Sequence, residues 1–177
     1  MIYVLLAPGF EEIEALTPID ILRRCGAEVL TAGVLGKSVC GSHNITVEAD
    51  ILIDDIKKED MECLIVPGGP GYVNIEDSEE AISLIKYAAE RDIFLCAICA
   101  APSIIGNLGL LDGKTATCFP GYEESLKGAK VTSEKAVIDG KIITAKGAGA
   151  AAEFGFLIAE NVIGKQKAEE IKKAMQY

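Results

Sequence analysis

Cys99 is the residue in this chain best placed to do chemistry. It follows the apolar run Ile93–Ile98 and precedes Ala100, Ala101 and Pro102. Small residues and a proline suit the first turn of a helix. The cysteine is therefore expected at a strand-to-helix elbow, pointing into a cleft. The positive end of the helix would stabilise a thiolate there, lowering the pKa from about 8.5 into the range ~4–7. Glu11, Glu12 and Glu14 follow the first apolar run, at the same expected sheet edge. Acids favour a helix N-terminus, but helical spacing turns one of the three toward the cleft. Burial would raise the pKa of that carboxyl, and once protonated it could donate a hydrogen bond to a thiolate. Gly68 and Gly69, after another apolar run, offer backbone N–H groups for an oxyanion pocket, and Ala100 offers its own.

Other spacings carry less. Gly36-Lys37-Ser38 and Gly113-Lys114-Thr115 resemble the end of a phosphate-binding loop. Thr31 and Leu108 stand where its first glycine is required. Gly147-x-Gly149-x-x-Ala152 matches a dinucleotide fingerprint locally, but no further strand with an acid follows it. It reads as close helix–strand packing with N–H groups facing a cleft. Cys96-Ala97-Ile98-Cys99 is a CxxC. An odd offset along a strand puts the two side chains on opposite faces, so no dithiol is expected. No second CxxC and only one histidine, His43, are present, so neither a zinc site nor any other metal or cofactor is expected. His43 reads as a surface hairpin residue. Cys25, Cys40, Cys63 and Cys118 read as packing residues.

These residues must be held by a fold, and the chain supplies a recurring unit: apolar run, glycine- or proline-rich loop, helical pattern. Ile2–Leu6 leads to a helix over Glu11–Cys25. Cys63–Val66 leads through Pro67–Gly71 to Ser78–Arg91. Ile93–Ile98 leads through Cys99 to Ala101–Leu108, and Ile142–Ala145 through Lys146–Gly149 to Ala150–Val162. Continuously apolar runs mark strands covered on both faces. Pro18 is expected to kink the first helix or end its first turn. Gly26 sits where a C-terminal glycine belongs. Lys37–Ile45 and Val131–Ile142 read as hairpins, and Lys165–Tyr177 as a charged terminal helix. Together these patterns predict one α/β domain over residues 1–177, a three-layer sandwich around a mostly parallel sheet. Ligands bind such sheets outside the carboxyl ends of the strands.

With 177 residues and 50% apolar content the chain can bury a sizeable core. Seventeen basic against twenty-seven acidic residues leave a net charge of −10. Nucleic acid and anionic membrane are poor partners for such a surface. Ile93–Leu111 lacks charge but is broken by Pro102, Gly106 and Gly109, so it reads as a buried strand and helix rather than a span. The first residues lack a basic n-region, so no secretory signal is expected. A cytoplasmic location and free thiols are expected.

Ala-Pro-Gly-Phe-Glu-Glu-Ile-Glu, Val-Pro-Gly-Gly-Pro-Gly, Ala-Ile-Cys-Ala-Ala-Pro and Lys-Gly-Ala-Gly together resemble the ThiJ/PfpI superfamily, nearest its Parkinson's-disease-associated deglycase branch. The resemblance covers essentially the whole chain. It implies a flavodoxin-like fold and a homodimer. Cys99 falls on the family's reactive cysteine, Glu14 on its partner glutamate, and Gly68 and Gly69 on the glycines whose amides face the sulfur. Two positions depart from the pattern. Ala100 stands where the peptidase branch carries histidine, which makes peptidase activity unexpected. Phe119 stands before Pro120, where the deglycase branch often has histidine. The first expected function is a stress-response protein whose Cys99 is oxidised by peroxide. The second is a cofactor-independent glyoxalase or deglycase acting on a small aldehyde or dicarbonyl through Cys99 and Glu14. The third is a dimeric binding or chaperone-like module.

Overall fold

The computed structural model describes residues 1–177. Its strands and helices alternate as the sequence pattern predicts. β1 (Ile2–Leu6) leads to α1 (Glu12–Arg24), then β2 (Val29–Gly33), a short pair β3 (Ser38–Cys40) and β4 (Thr46–Glu48), and β5 (Ile51–Leu52). β6 (Cys63–Val66) leads to α2 (Tyr72–Glu76) and α3 (Glu79–Glu90). β7 (Phe94–Ile98) leads to α4 (Pro102–Asn107), then β8 (Thr115–Ala116) and β9 (Lys130–Val131). β10 (Ala136–Asp139) and β11 (Ile142–Ala145) are followed by α5 (Ala151–Ala159), a π-helical stretch over Glu160–Gly164, and α6 (Lys165–Ala174).

Seven strands form the central sheet in the order β10-β11-β7-β6-β1-β2-β5. Only the β10–β11 pair is antiparallel. Successive side chains of a strand face opposite sides, and both sides are covered. Ile2, Val4 and Leu6 join one core with Ile21, Leu22 and Phe154 from α1 and α5. Tyr3 and Leu5 join the other with Leu84, Ile85 and Ile104 from α3 and α4. Two helical layers around a mostly parallel sheet are a flavodoxin-like sandwich. Double burial is why β1, β6, β7 and β11 are apolar without alternation.

Several sequence expectations hold in detail. Ser78 caps α3, its hydroxyl accepting from the Ala81 N–H at 3.2 Å. Gly26 takes φ 83° after α1; its N–H donates to Arg23 and the Ala27 N–H to Leu22, closing a Schellman end. The Asp139-Gly140 turn joins β10 to β11, and Gly41 opens the turn between β3 and β4. Ile93–Leu111 is β7, an elbow and α4; no helix is long and apolar enough to cross a membrane. Pro18 does not end the helix: α1 runs through it to Arg24. Its ring lies against α5, where Gly155 has no side chain: a Cβ there would sit 3.0 Å from Pro18 Cα and 2.8 Å from Ile21 Cδ1. The α1 helix thus carries a proline at its contact with α5.

Candidate active site

β7 ends at Ile98, and Cys99 takes φ 67°. A non-glycine residue in the left-handed region is strained, and the surroundings must hold it there. They do so from two sides. The Cys99 N–H donates to the Ala145 carbonyl at 2.9 Å, and its own carbonyl accepts from the Phe119 N–H at 2.8 Å. The elbow predicted from the sequence is present, pinned between β11 and the Phe119 loop. Its thiol is half-buried.

Glu14 lies on the inner face of α1 and is 1% exposed. It is the glutamate that helical spacing turns to the cleft. Its Oε2 accepts from the Gly68 N–H at 3.1 Å. Burial pushes its pKa up to about 7, against the Cys99 thiol hydrogen bond; the charge of Glu11 adds to the rise, and the Gly68 and Ala148 N–H groups moderate it. Glu11 and Glu12 do other work. Glu12 is turned to the β3–β4 turn, where its Oε2 lies 2.9 Å from His43 Nδ1. His43 is thus the exposed hairpin residue expected, and it does not reach the thiol.

The thiol itself corrects the sequence reading. Burial first, and then the Glu14 carboxylate, push Cys99 up to about 12, against the N–H groups of Gly69 and Ala100. The expected lowering assumed a helix N-terminus at the sulfur. Yet α4 begins only at Pro102 and has six residues, while an acid sits directly beside the sulfur. Desolvation and a like charge win over a short helix's field. The donors are also redistributed. Gly69 and Ala100 face the sulfur, whereas the Gly68 N–H is engaged by Glu14. The Ala148 N–H, in the Lys146–Gly149 loop, was not singled out, though the glycines on either side signalled N–H groups facing a cleft.

Cys96 and Cys99 also depart from the opposite faces expected of them. Cys96 belongs to the core on the α1 side, and Cys99 packs against that core too. The strand has ended before Cys99, and its positive φ re-aims the side chain. No disulfide joins them; Cys96 Sγ instead lies 3.6 Å from Cys63 Sγ in the interior.

Beside the elbow a cavity of about 500 Å³ is lined by Phe119, Pro120, Ser133, Lys135, Lys146 and Gly147. Phe119 is 47% exposed at its edge. Gly68 keeps the site open at the other side. A Cβ there would lie 2.5 Å from Cys99 Cβ and 2.7 Å from Glu14 Oε2. Gly68→Ala is therefore expected to destabilise the fold by about 1–3 kcal/mol and to displace the pair. Thermal unfolding and the reactivity of Cys99 toward a thiol reagent would check both effects.

The comparisons with known proteins agree with this fold. The model of the DJ-1/PfpI family matches residues 1–161. The chain belongs to the DJ-1/PfpI family. It is similar to Protein DJ-1 homolog B of Arabidopsis thaliana, 36% identical over 98% of this chain. It spans only 40% of that longer protein's length. It is 30% identical to the glutathione-independent glyoxalase DJR-1.2 of Caenorhabditis elegans, over 97% of this chain and 94% of that one. It is 27% identical to the deglycase PYRAB04690 of Pyrococcus abyssi, over 82% of this chain and 89% of that one. Among solved structures of the DJ-1/PfpI family, oxidized Toxoplasma gondii DJ-1 superposes with a TM-score of 0.94 at 32% identity, covering 99% of this chain and 97% of that one.

Proposed function

We propose that this DJ-1/PfpI chain converts small dicarbonyls or aldehydes, or their adducts on amines, through a Cys99 nucleophile and a Glu14 proton carrier. The observation that carries the reading is the buried Glu14 carboxyl, its pKa pushed up to about 7, set beside Cys99, both side chains meeting at Gly68. A general base works best with a pKa near the operating pH. At neutral pH the thiol keeps its proton and Glu14 is divided between acid and carboxylate. The carboxylate takes the thiol proton as Sγ adds to the aldehyde carbon, forming a C–S bond. Glu14 passes that proton to the carbonyl oxygen, giving a hemithioacetal. Gly69 and Ala100 N–H groups are the donors nearest the developing charge. With methylglyoxal, Glu14 then removes the proton from C1 and returns it to C2 through an enediol. Water cleaves the resulting thioester, so methylglyoxal plus water becomes lactate and Cys99 regains its proton. The names of the Caenorhabditis and Pyrococcus relatives support this reaction class. Purified protein given methylglyoxal, without added thiol or metal, is expected to form lactate; none above the buffer rate would overturn the reading.

A second reading, oxidation of Cys99 in a stress response, is favoured by its partial exposure and by the oxidized state of the similar Toxoplasma protein. Peroxide would add one and then two oxygens to the Cys99 sulfur, being reduced to water. Peptide masses after mild peroxide should show oxygen on Cys99 first; an even spread over six cysteines would refute this. A cytoplasmic homodimer belongs to the same proposal. Ile13 and Ile45 are 54% and 53% exposed, apolar surface that a second copy could cover.

A further inference from the structure

The chain carries a second cluster of reactive side chains, about the start of α1 and the β3–β4 turn. Its members are Glu11, Glu12 and His43. One ligating atom from each lies within 4.8 Å of the others. We propose that they form a site for a divalent transition ion of the zinc class, separate from Cys99.

The sharpest observation is Glu11 Oε2. It is wholly buried and accepts no hydrogen bond, although it lies 3.8 Å from His43 Nδ1. A buried carboxylate oxygen without a donor is costly and needs a partner. Glu12 supplies the second oxygen, and it is already aimed. Its Oε1 accepts from the His43 N–H at 2.7 Å and from the Ile45 N–H at 3.5 Å. Its side chain rests on Gly41, where any Cβ would overlap the carboxylate. That leaves Oε2 facing His43 Nδ1 at 2.9 Å. Ser42 Oγ stands beside both, 3.2 Å from Glu12 Oε2 and 3.0 Å from Nδ1.

The separations suit a small ion. Zinc bonds of about 2.0–2.1 Å at tetrahedral angles put ligand atoms about 3.3 Å apart. The two separations from Nδ1, 2.9 and 3.8 Å, bracket that value, and the third lies within 4.8 Å, so side-chain movements of up to about 1 Å would close the shell. Nδ1 becomes a ligand when the ring carries its proton on Nε2. Two carboxylates then neutralise a dication. An imidazole nitrogen disfavours calcium and magnesium, which prefer oxygen. The single histidine excludes two-histidine sites but is compatible with this one. The fourth position is open to water or Ser42 Oγ.

Titrating the chelator-treated full chain with Zn2+ by calorimetry, and with Co2+ by absorption, tests the site. One ion per chain is expected. His43→Ala and Glu11→Gln should each weaken binding by about 10–100-fold or more. Cys99→Ser should leave affinity unchanged, and the Co2+ spectrum should lack a sulfur-to-metal band. His43 is 71% exposed, and unchanged thermal unfolding of the metal-free His43→Ala chain would separate loss of binding from loss of fold. Absence of stoichiometric binding, unchanged affinity in His43→Ala, or a strong thiolate band would each overturn the proposal.

Discussion

Cys99→Ser is expected to abolish lactate formation from methylglyoxal, lowering kcat/KM by about a thousandfold or more. Serine is nearly the shape of cysteine and can occupy the same elbow. The Ala145 and Phe119 backbone hydrogen bonds at 2.9 and 2.8 Å do not depend on the side chain. The loss should therefore come with an unchanged circular dichroism spectrum. Its cause is chemical: a hydroxyl is a weaker acid than a thiol in the same surroundings, and its oxygen is a poorer nucleophile than sulfur when the proton leaves only as the bond forms. A variant keeping activity within tenfold of the parent would mean that Cys99 is not the nucleophile. The other five cysteines are no substitutes by position, since Glu14 lies beside Cys99 and the carboxyl nearest Cys118 is Glu123, which is not buried.

Glu14→Gln is expected to change three measurable quantities. The rate should fall by about 10²–10⁴-fold, because glutamine carries no proton between sulfur and substrate. In the parent, kcat/KM should rise with pH toward a plateau above about 7, where Glu14 becomes the carboxylate. The variant should lose that limb. The pKa of Cys99 should fall from about 12, since the second-largest cause of its elevation, the Glu14 charge, is gone.

Stability should respond as well. Glu14 holds its proton up to about pH 7 in the folded chain but only to 4.5 in the unfolded one. Between those values the native state binds more protons, so stability falls as pH rises through that window. The difference corresponds to about 3 kcal/mol at full deprotonation. Glutamine stays neutral and should flatten this part of the profile. Denaturant unfolding at pH 4.5 and pH 8 for both chains would measure it. Equal slopes in parent and variant would contradict a buried, proton-holding Glu14.

The strand runs were legible because both sides of the sheet are covered, which leaves β1, β6, β7 and β11 apolar throughout. Gly26 and Ser78 were legible because capping is local. The neighbourhood of Cys99, Glu14 and the glycines after β6, the candidate site, was legible as a set of residues. Its electrostatics were not. Whether the sulfur meets a helix end or a carboxylate depends on how closely α1 approaches β7, and no spacing within either segment encodes that approach. The same limit applies to Gly68. Its place beside the site could be read, but not that its N–H points at Glu14 while Gly69 and Ala100 turn to the sulfur. The packing of Pro18 against Gly155, 137 positions away in the chain, is likewise invisible in any local spacing.

The left-handed backbone at Cys99 has a further consequence. A residue with a Cβ loses about 1–2 kcal/mol in that conformation, a penalty that glycine escapes. Glu14 adds the strain of a carboxylate held out of water. The two groups proposed to react are thus also two weak points of the native state. A chain selected for heat resistance alone would place glycine at position 99 and a neutral side chain at position 14. It would outlast this one in a melting experiment and lack both the proposed nucleophile and the proposed proton carrier.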